Sequence, residues 1–552
     1  MKSLIWFIRS YFRYLFFIPL PIIILLISQW QMSIRGPYFE GGNSDPEYAY
    51  LLNGLKLANG ISPSHVDHPG TTLQILTALI IDSRHAIKDI LVERTPRSED
   101  VLQHSEEYLL TIRDFLAILA ILLFILIAVQ IYNKTKLVWV AICFQIFPFL
   151  SRNVISALTR VSPEPLLLIT ILFTTIILFE VTEKKLPIYP IWQPIFLGLI
   201  LGIGLVTKLT FLPFVLLIFW FPRLRDRILA TAVFIGTIFL FTIPIWPHAK
   251  QIAGWIKGLV TKQGYYGSGP TGFFPPFKTL ISNLNNLTQA EPFYFIVLAI
   301  LILWCIIIWK SRSLDNKLER LRVFLSMGIL IIQLIMVMKF PSPHYLVPGL
   351  SWLGFILLMG TLRLKTLVES TSCTTVKYLS KLSTKFKIIS TTLVTALFVS
   401  AIMNSFAIIS SYQSIEEVHL GTKKIDSLIK VNFTNCSIIP YYGASDLRYA
   451  LMFGNDIAGR VFAESLTKIF PDTYSYTIWG RQFISFSGDT EDAEVQHRLS
   501  LGECILLRGG HYMDFANDQY FNAQLVMDKK IVESNERVYL LRAILPKARL
   551  FH

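Results

Sequence analysis

Long apolar runs recur along this chain of 552 residues, and they constrain its fold more than any other feature. Most are roughly 17 to 22 residues long, the length a helix needs to cross the hydrocarbon of a bilayer. The composition agrees. Hydrophobic residues make up 53% and charged residues only 16%, against about 25% charged in an ordinary soluble domain. The mean hydropathy is +0.52. The formal net charge of +14 does not indicate nucleic acid. Its basic residues sit in short loops between apolar runs, where the positive-inside rule puts them, and no basic stripe with interleaved aromatics is evident.

The N-terminal MKSLIWFIRSYFR carries Lys2, Arg9 and Arg13 and no acid, and the apolar run Tyr14 to Trp30 follows. A cleaved signal peptide would end in a small-residue site. None stands out after Gln29, so this is read as an uncleaved first span with the N-terminus in the cytoplasm. Gln31 to Leu110 is then outside. Within it Thr71 to Ile81 is too short to span, and Asp82 to Leu110 is charged and partly amphipathic; both are expected as helices along the membrane surface. Further spans are expected at Thr111–Tyr132, Leu137–Leu150, Pro163–Val181, Pro194–Val206, Leu209–Phe221, Ile228–Trp246, Pro292–Trp309, Val323–Met338, Tyr345–Leu362 and Ile388–Ser410. Every loop this assigns to the inside carries at least two Lys or Arg.

The expectation is a polytopic α-helical membrane protein of about eleven spans. Residues 1–410 form its transmembrane domain, with 31–110 as the first outer loop. Residues 411–552 form an outer α/β domain. The strand-like pieces CSIIPYYG, QFISFSG, ECILLRG and RVYLLRAIL alternate there with the helix-like DLRYALMFG and DTEDAEVQHRLSL. The chain has five cysteines. Cys436 and Cys504 both lie in that outer region, where a disulfide and two unpaired thiols are equally open.

Polar chemistry gathers on the side assigned to the outside. The first loop supplies Asp45, Glu47, Asp67 and His68; the second supplies Arg152, Arg160 and Glu164. Lys208 stands between apolar segments in LGIGLVTKLTF, His344 at a span mouth in PSPHYLVP, and Tyr265 and Tyr266 in the glycine-rich GYYGSGPTGFF. The set suits sugar transfer from a polyprenyl phosphate. A carboxylate takes the proton of the acceptor hydroxyl. Lys208, His344, Arg160 and Arg152 offer cations to the departing phosphate. Tyr265 and Tyr266 are candidate sugar or acceptor contacts.

DPEYAYLLNGL followed by HVDHPGTTLQ resembles the first loop of bacterial membrane glycosyltransferases related to protein O-mannosyltransferases, enzymes of the GT-C fold. RVSPEPLLL, GIGLVTKLT and HYLVP resemble three later elements of that family, in order, with Glu164, Lys208 and His344 at their polar positions. The resemblance covers the first 360 or so residues and not the C-terminal domain. It implies an inverting transferase of the plasma or inner membrane that uses a polyprenyl-phosphate sugar, with Asp45 as its base. The pattern departs in two places. Pro46 separates Asp45 from Glu47, and Gly70 follows Asp67-His68-Pro69 where the family has a second proline.

Plainer roles stand beside these. Ser44 or Asp45 is placed to cap a helix. Glu164 suits a helix's positive end, and Lys208 the part of a span-end lysine reaching for water. The tyrosines suit an interfacial belt. No metal site is assigned, although His65, Asp67 and His68 leave a divalent ion open. The acceptor is a protein, a glycolipid or a polysaccharide. The rival functions are a transporter or flippase for lipid-linked sugars, a ligase using diphosphate-linked oligosaccharides, and a non-catalytic subunit with an outer binding domain.

Overall fold

The computed structural model describes residues 13–40, 45–67, 70–91, 95–183, 190–263, 269–310, 317–371, 376–510, 515, 521–527 and 536–544. Among the described residues six helices are long and apolar enough to cross a membrane: Arg13–Arg35, Ser105–Thr135, Pro163–Thr182, Leu224–Thr261, Arg320–Lys339 and Pro343–Gly360. Phe277–Ala290 and Pro292–Leu303, bent by 103°, make a seventh if they act as one span. The chain is a polytopic α-helical membrane protein. Its outward apolar faces fit that solvent. In Leu224–Thr261 only 17% of the apolar window is buried, and Ile228, Ile235, Phe239, Leu240 and Trp246 are exposed, a face that hydrocarbon covers and water would not.

Of the eleven expected spans, three are shorter than a full crossing: Val138–Leu150, Trp192–Thr207 and Leu209–Trp220. The last is a 3-10 helix with Pro213 inside, whose missing N–H removes a helical bond. The expected span Ile388–Ser410 lies within one 57-residue helix, Val376–Asn432. The expected surface segments also run longer than anticipated. Thr71–Leu91 is a single helix, and Ser105–Thr135 starts before the span it contains.

The chain divides into two compact units. The helical unit holds Met1–Gln29, Val66–Thr72 and Arg113–Ile408; the mixed unit holds Trp30–His65, Leu73–Ile112 and Ile409–His552. Most of the first outer loop is thus built together with the C-terminal region, not with the spans as the boundary at 410 assumed. The reason is burial. In helix Glu47–Ala58 every residue from Glu47 to Lys56 is buried. Helix Leu447–Ile457 approaches so closely that a Cβ on Gly454 would sit 2.8 Å from the Tyr48 carbonyl oxygen. Lys56 Nζ donates to the Ala458 carbonyl at 3.0 Å, satisfying an orphan acceptor at that helix's end.

In the helical unit a similar close approach positions the site. A Cβ on Gly198 would lie 2.3 Å from the Ala230 carbonyl oxygen, and one on Gly202 would lie 2.6 Å from the Thr237 side chain. Two glycines one turn apart let helix Leu224–Thr242 pack directly on Trp192–Thr207. Just beyond, Lys208 is extended (φ −163°, ψ 137°) and breaks the run between two apolar helices. Gly204 leaves room there for the Phe211 ring, 2.5 Å from where a Cβ would be.

In the mixed unit the strands are β1 Ser437–Pro440, β2 Ser475–Thr477, β3 Gln482–Ile484, β4 Ile505–Gly510, β5 Phe521–Met527 and β6 Glu536–Ile544. One sheet has the order β1-β4-β6-β5, with β1 and β4 parallel and the other pairs antiparallel; β2 and β3 form a separate antiparallel pair. Alternation along β4 sends Ile505 and Leu507 into a core with Val495, Tyr441 and Tyr539. Leu506 faces Ile425 and Ile429 of the long helix, as the two-residue period of a strand requires. Cys436 and Cys504 form a disulfide, which settles the alternative left open above.

Candidate active site

Three residues far apart in sequence meet in the helical unit. Glu164 lies in the first turn of Pro163–Glu183, Lys208 at the break already described, and His344 in the 3-10 turn Pro343–Leu346 that leads into the next span. Lys208 Nζ donates to Glu164 Oε1 at 2.5 Å, and His344 Nε2 is 3.8 Å from the same oxygen. The pair is almost wholly buried, with Lys208 4% and Glu164 7% exposed. Lys208 also lies 4.5 Å from the centre of the Tyr345 ring, a cation–π contact. Ser342 Oγ and His344 Nδ1 are 2.7 Å apart, which leaves Nε2 for the carboxylate side. Ser162 bonds to Glu164, and Arg160 is near enough for its charge to act on His344. One carboxylate thus faces one lysine and one imidazole, with Arg160 in electrostatic range of the imidazole.

A bare buried ion pair is a poor source of stability, because taking two charges out of water costs about as much as their attraction returns. A lysine between one carboxylate and a half-exposed imidazole, with Arg160 in electrostatic range of that imidazole, suits an incoming anion. Thr72 and Thr207 hydroxyls are 2.6 Å apart. That bond ties the segment bearing Asp67, itself half-buried, to the residue beside Lys208.

Arg152 is brought to a different partner. It is exposed and its charge acts on Glu291. Glu291 is 1% exposed and accepts from Ser151 Oγ at 2.9 Å and Asn153 Nδ2 at 2.5 Å. The sequence reading gave Glu291 no role. Its one signal is a carboxylate directly before Pro292 at the start of an apolar run.

The first-loop acids behave differently from one another. Asp45 is exposed. Helix Glu47–Ala58 has Pro46 at its N-cap, which makes no side-chain cap bond. Glu47 is fully buried, 3.8 Å from Arg35 Nη2, whose guanidinium lies 5.2 Å from the centre of the Tyr38 ring. Its carboxylate lies inside the mixed unit beside Arg35, whereas that of Asp45 is at the surface. Asn53 Oδ1 accepts from the backbone N–H of Ser64 at 2.8 Å and of His65 at 3.0 Å, pinning the loop ahead of Asp67. Asp45 acts electrostatically on Tyr449. Burial, then the neighbouring Tyr442 and Asp45, push that phenol up to about 12, against a backbone hydrogen bond from Gly443.

His68, Tyr265 and Tyr266 lie outside the described residues. Among the described residues no group of three or more His, Cys, Asp or Glu could hold a metal ion.

No family model matches the chain, and no curated protein matches it in sequence. Among solved structures the chain is similar to the crystal structure of ArnT from Cupriavidus metallidurans bound to undecaprenyl phosphate. The TM-score is 0.46 and the identity 10%, over 96% of this chain and 98% of that one.

Proposed function

We propose that the protein is an inverting glycosyltransferase that moves a sugar from a polyprenyl phosphate to an acceptor hydroxyl on the extracytoplasmic face. The observation that carries this reading is the buried Glu164–Lys208 pair with His344 3.8 Å away and Arg160 in electrostatic range. All are set at breaks and ends of apolar helices, where a lipid phosphate can be met without placing charge in the middle of the hydrocarbon.

In this mechanism the acceptor oxygen attacks the anomeric carbon as its proton passes to a carboxylate. The bond from that carbon to the phosphate oxygen breaks, and its electron pair leaves with the phosphate. Lys208, assisted by Arg160 and His344, receives the growing charge, while Glu164 holds the lysine in place. Fixed cations aimed at developing charge are worth about 10²–10³ in rate. The base is Asp45, on the resemblance of DPEYAYLLNGL and on its exposure; Asp67 is the next candidate. The disulfide Cys436–Cys504 supports an oxidising compartment for the C-terminal region, and with it a cytoplasmic N-terminus.

The test is transfer from a panel of radiolabelled polyprenyl-phosphate sugars by the full chain in lipid, comparing wild type with Asp45→Asn and Lys208→Ala. Transfer by wild type, lost in Asp45→Asn with donor still bound, supports enzyme and base together. Weaker donor binding by Lys208→Ala supports the phosphate role. Equal transfer by wild type and Asp45→Asn removes Asp45 and moves the base to Asp67. Movement of lipid-linked sugar between leaflets without transfer favours the flippase.

A further inference from the structure

Among its described residues the mixed unit gathers a set of aromatic side chains in its core. Tyr441, Tyr476, Phe483, Phe515 and Tyr539 pack together in its core, none more than 1% exposed. Trp479, on the turn joining β2 to β3, is 83% exposed. Its indole stands edge-on to Tyr442, with ring centres 6.3 Å apart at 72°, and Tyr442 is itself 40% exposed. Tyr442 sits two residues after the end of β1, held by the bond from the Gly510 N–H to its carbonyl oxygen at 2.9 Å. Tyr449, in helix Leu447–Ile457, is close enough to feel both Tyr442 and Asp45. An exposed aromatic pair therefore lies in the same unit as the exposed Asp45, with Tyr449 in electrostatic range of both Tyr442 and Asp45.

We propose that Trp479 and Tyr442 form a platform for a sugar ring of the acceptor, so that the acceptor is itself a saccharide or a glycan-bearing lipid and not a peptide hydroxyl. This rests on the transferase reading, through Asp45. A pyranose has an apolar C–H face and a rim of hydroxyls. It fits where an aromatic face lies beside a carboxylate and a phenol, because each surface finds its complement. A serine or threonine hydroxyl has no face to lay on an indole. A membrane anchor would use tryptophan too, but would gather several cations for the anionic headgroups. The segment SYTIWGRQFI has only Arg481, and nearby Arg448 is held by Asp446 at 2.6 and 3.0 Å.

The experiment uses the full chain in nanodiscs and saturation-transfer NMR with soluble cello-, malto-, chito- and mannotriose. A serine/threonine-rich peptide and anionic vesicles serve as the other probes. The expected result is saccharide binding by wild type, weakened at least tenfold in Trp479→Ala and Tyr442→Ala and largely kept in Trp479→Phe. In transfer assays Trp479→Ala should raise the KM for a saccharide acceptor and leave the donor KM unchanged. No binding of any trisaccharide overturns the proposal, as does binding of the peptide alone, or a Trp479→Ala defect confined to vesicle association. Saccharide binding without transfer from any donor would keep this inference and sink the transferase. Transfer that needs Asp45 but ignores Trp479 would do the reverse.

Discussion

Lys208 can be separated from its partner by experiment, because its structural and chemical roles differ in sign. Removing the ammonium strands the buried Glu164 carboxylate, and breaking a buried pair costs about 3–5 kcal/mol. Lys208→Met alone should therefore lower the unfolding temperature in detergent. Adding Glu164→Gln removes the stranded charge and should restore most of that stability. Transfer activity should stay down by about 10² in both variants, since the cation for the phosphate is still missing. If the double variant regains activity along with stability, the lysine is a strut and not a phosphate ligand. At this scale the polar identities could be read from sequence: Glu164, Lys208 and His344 each stood out as an ionisable group at the edge of an apolar run. Their common focus could not, and neither could the burial of Glu47 or the engagement of Glu291.

Among the helices, the later part of the first outer loop is organised by one carboxylate. Asp100, 1% exposed, sits in helix Arg97–Gln103. It takes a bond from Lys88 of Thr71–Leu91 and one from Tyr108 of Ser105–Thr135 at 2.5 Å. His104 lies 3.1 Å away and His85 3.7 Å. Burial alone would raise this carboxyl, but the bonds from Lys88 and Tyr108 outweigh it and hold it below the usual aspartate range. A carboxyl depressed on folding adds stability above its unfolded value of about 3.9, and that stability is lost as pH falls through the folded value. Asp100→Asn should cost about 2 kcal/mol at neutral pH, and the gap between wild type and variant should close on acidification below about pH 4. Thermal unfolding followed across pH checks this; a gap constant with pH would mean that the loss is one of packing. The element types were readable in advance. The four strand-like strings cover all of β1 and β3 and all but one residue each of β4 and β6, and the two helix-like strings cover Asp492–Ser500 and most of Leu447–Ile457. Helix ends were less so. Ser105–Thr135 runs on past the polar–apolar boundary, because neither glycine nor proline interrupts it.

For the whole molecule, the disulfide makes orientation testable. Cys436 and Cys504 are 68 residues apart, and closing a loop of that size stabilises by about 4 kcal/mol in the chain-entropy account. In intact cells a membrane-impermeant maleimide should label both sulfurs after reduction and neither before it. Labelling without reduction, or only after permeabilisation, would put the C-terminal region in the cytoplasm. Cys504→Ala should also make the mixed unit cleavable by protease at lower urea, including its first-loop helix Glu47–Ala58. Sensitivity confined to residues beyond Ile409 would mean that the two stretches do not unfold together.

The sequence by itself determined what is local. Stretches of apolar side chains long enough for a bilayer, a two-residue alternation in the last strands and lone ionisable groups beside apolar runs are properties of near neighbours, and they survive any rearrangement of the rest. Only the tertiary structure decided which distant residues meet. It brought together Glu164, Lys208 and His344, put the first loop in one unit with the C-terminal region, joined Cys436 to Cys504, and set Tyr449 within reach of Asp45. Such meetings are fixed by many weak packing contacts summed over whole helices, in which a missing side chain at Gly198 or Gly202 counts as much as any charge. No window of neighbouring residues contains that sum.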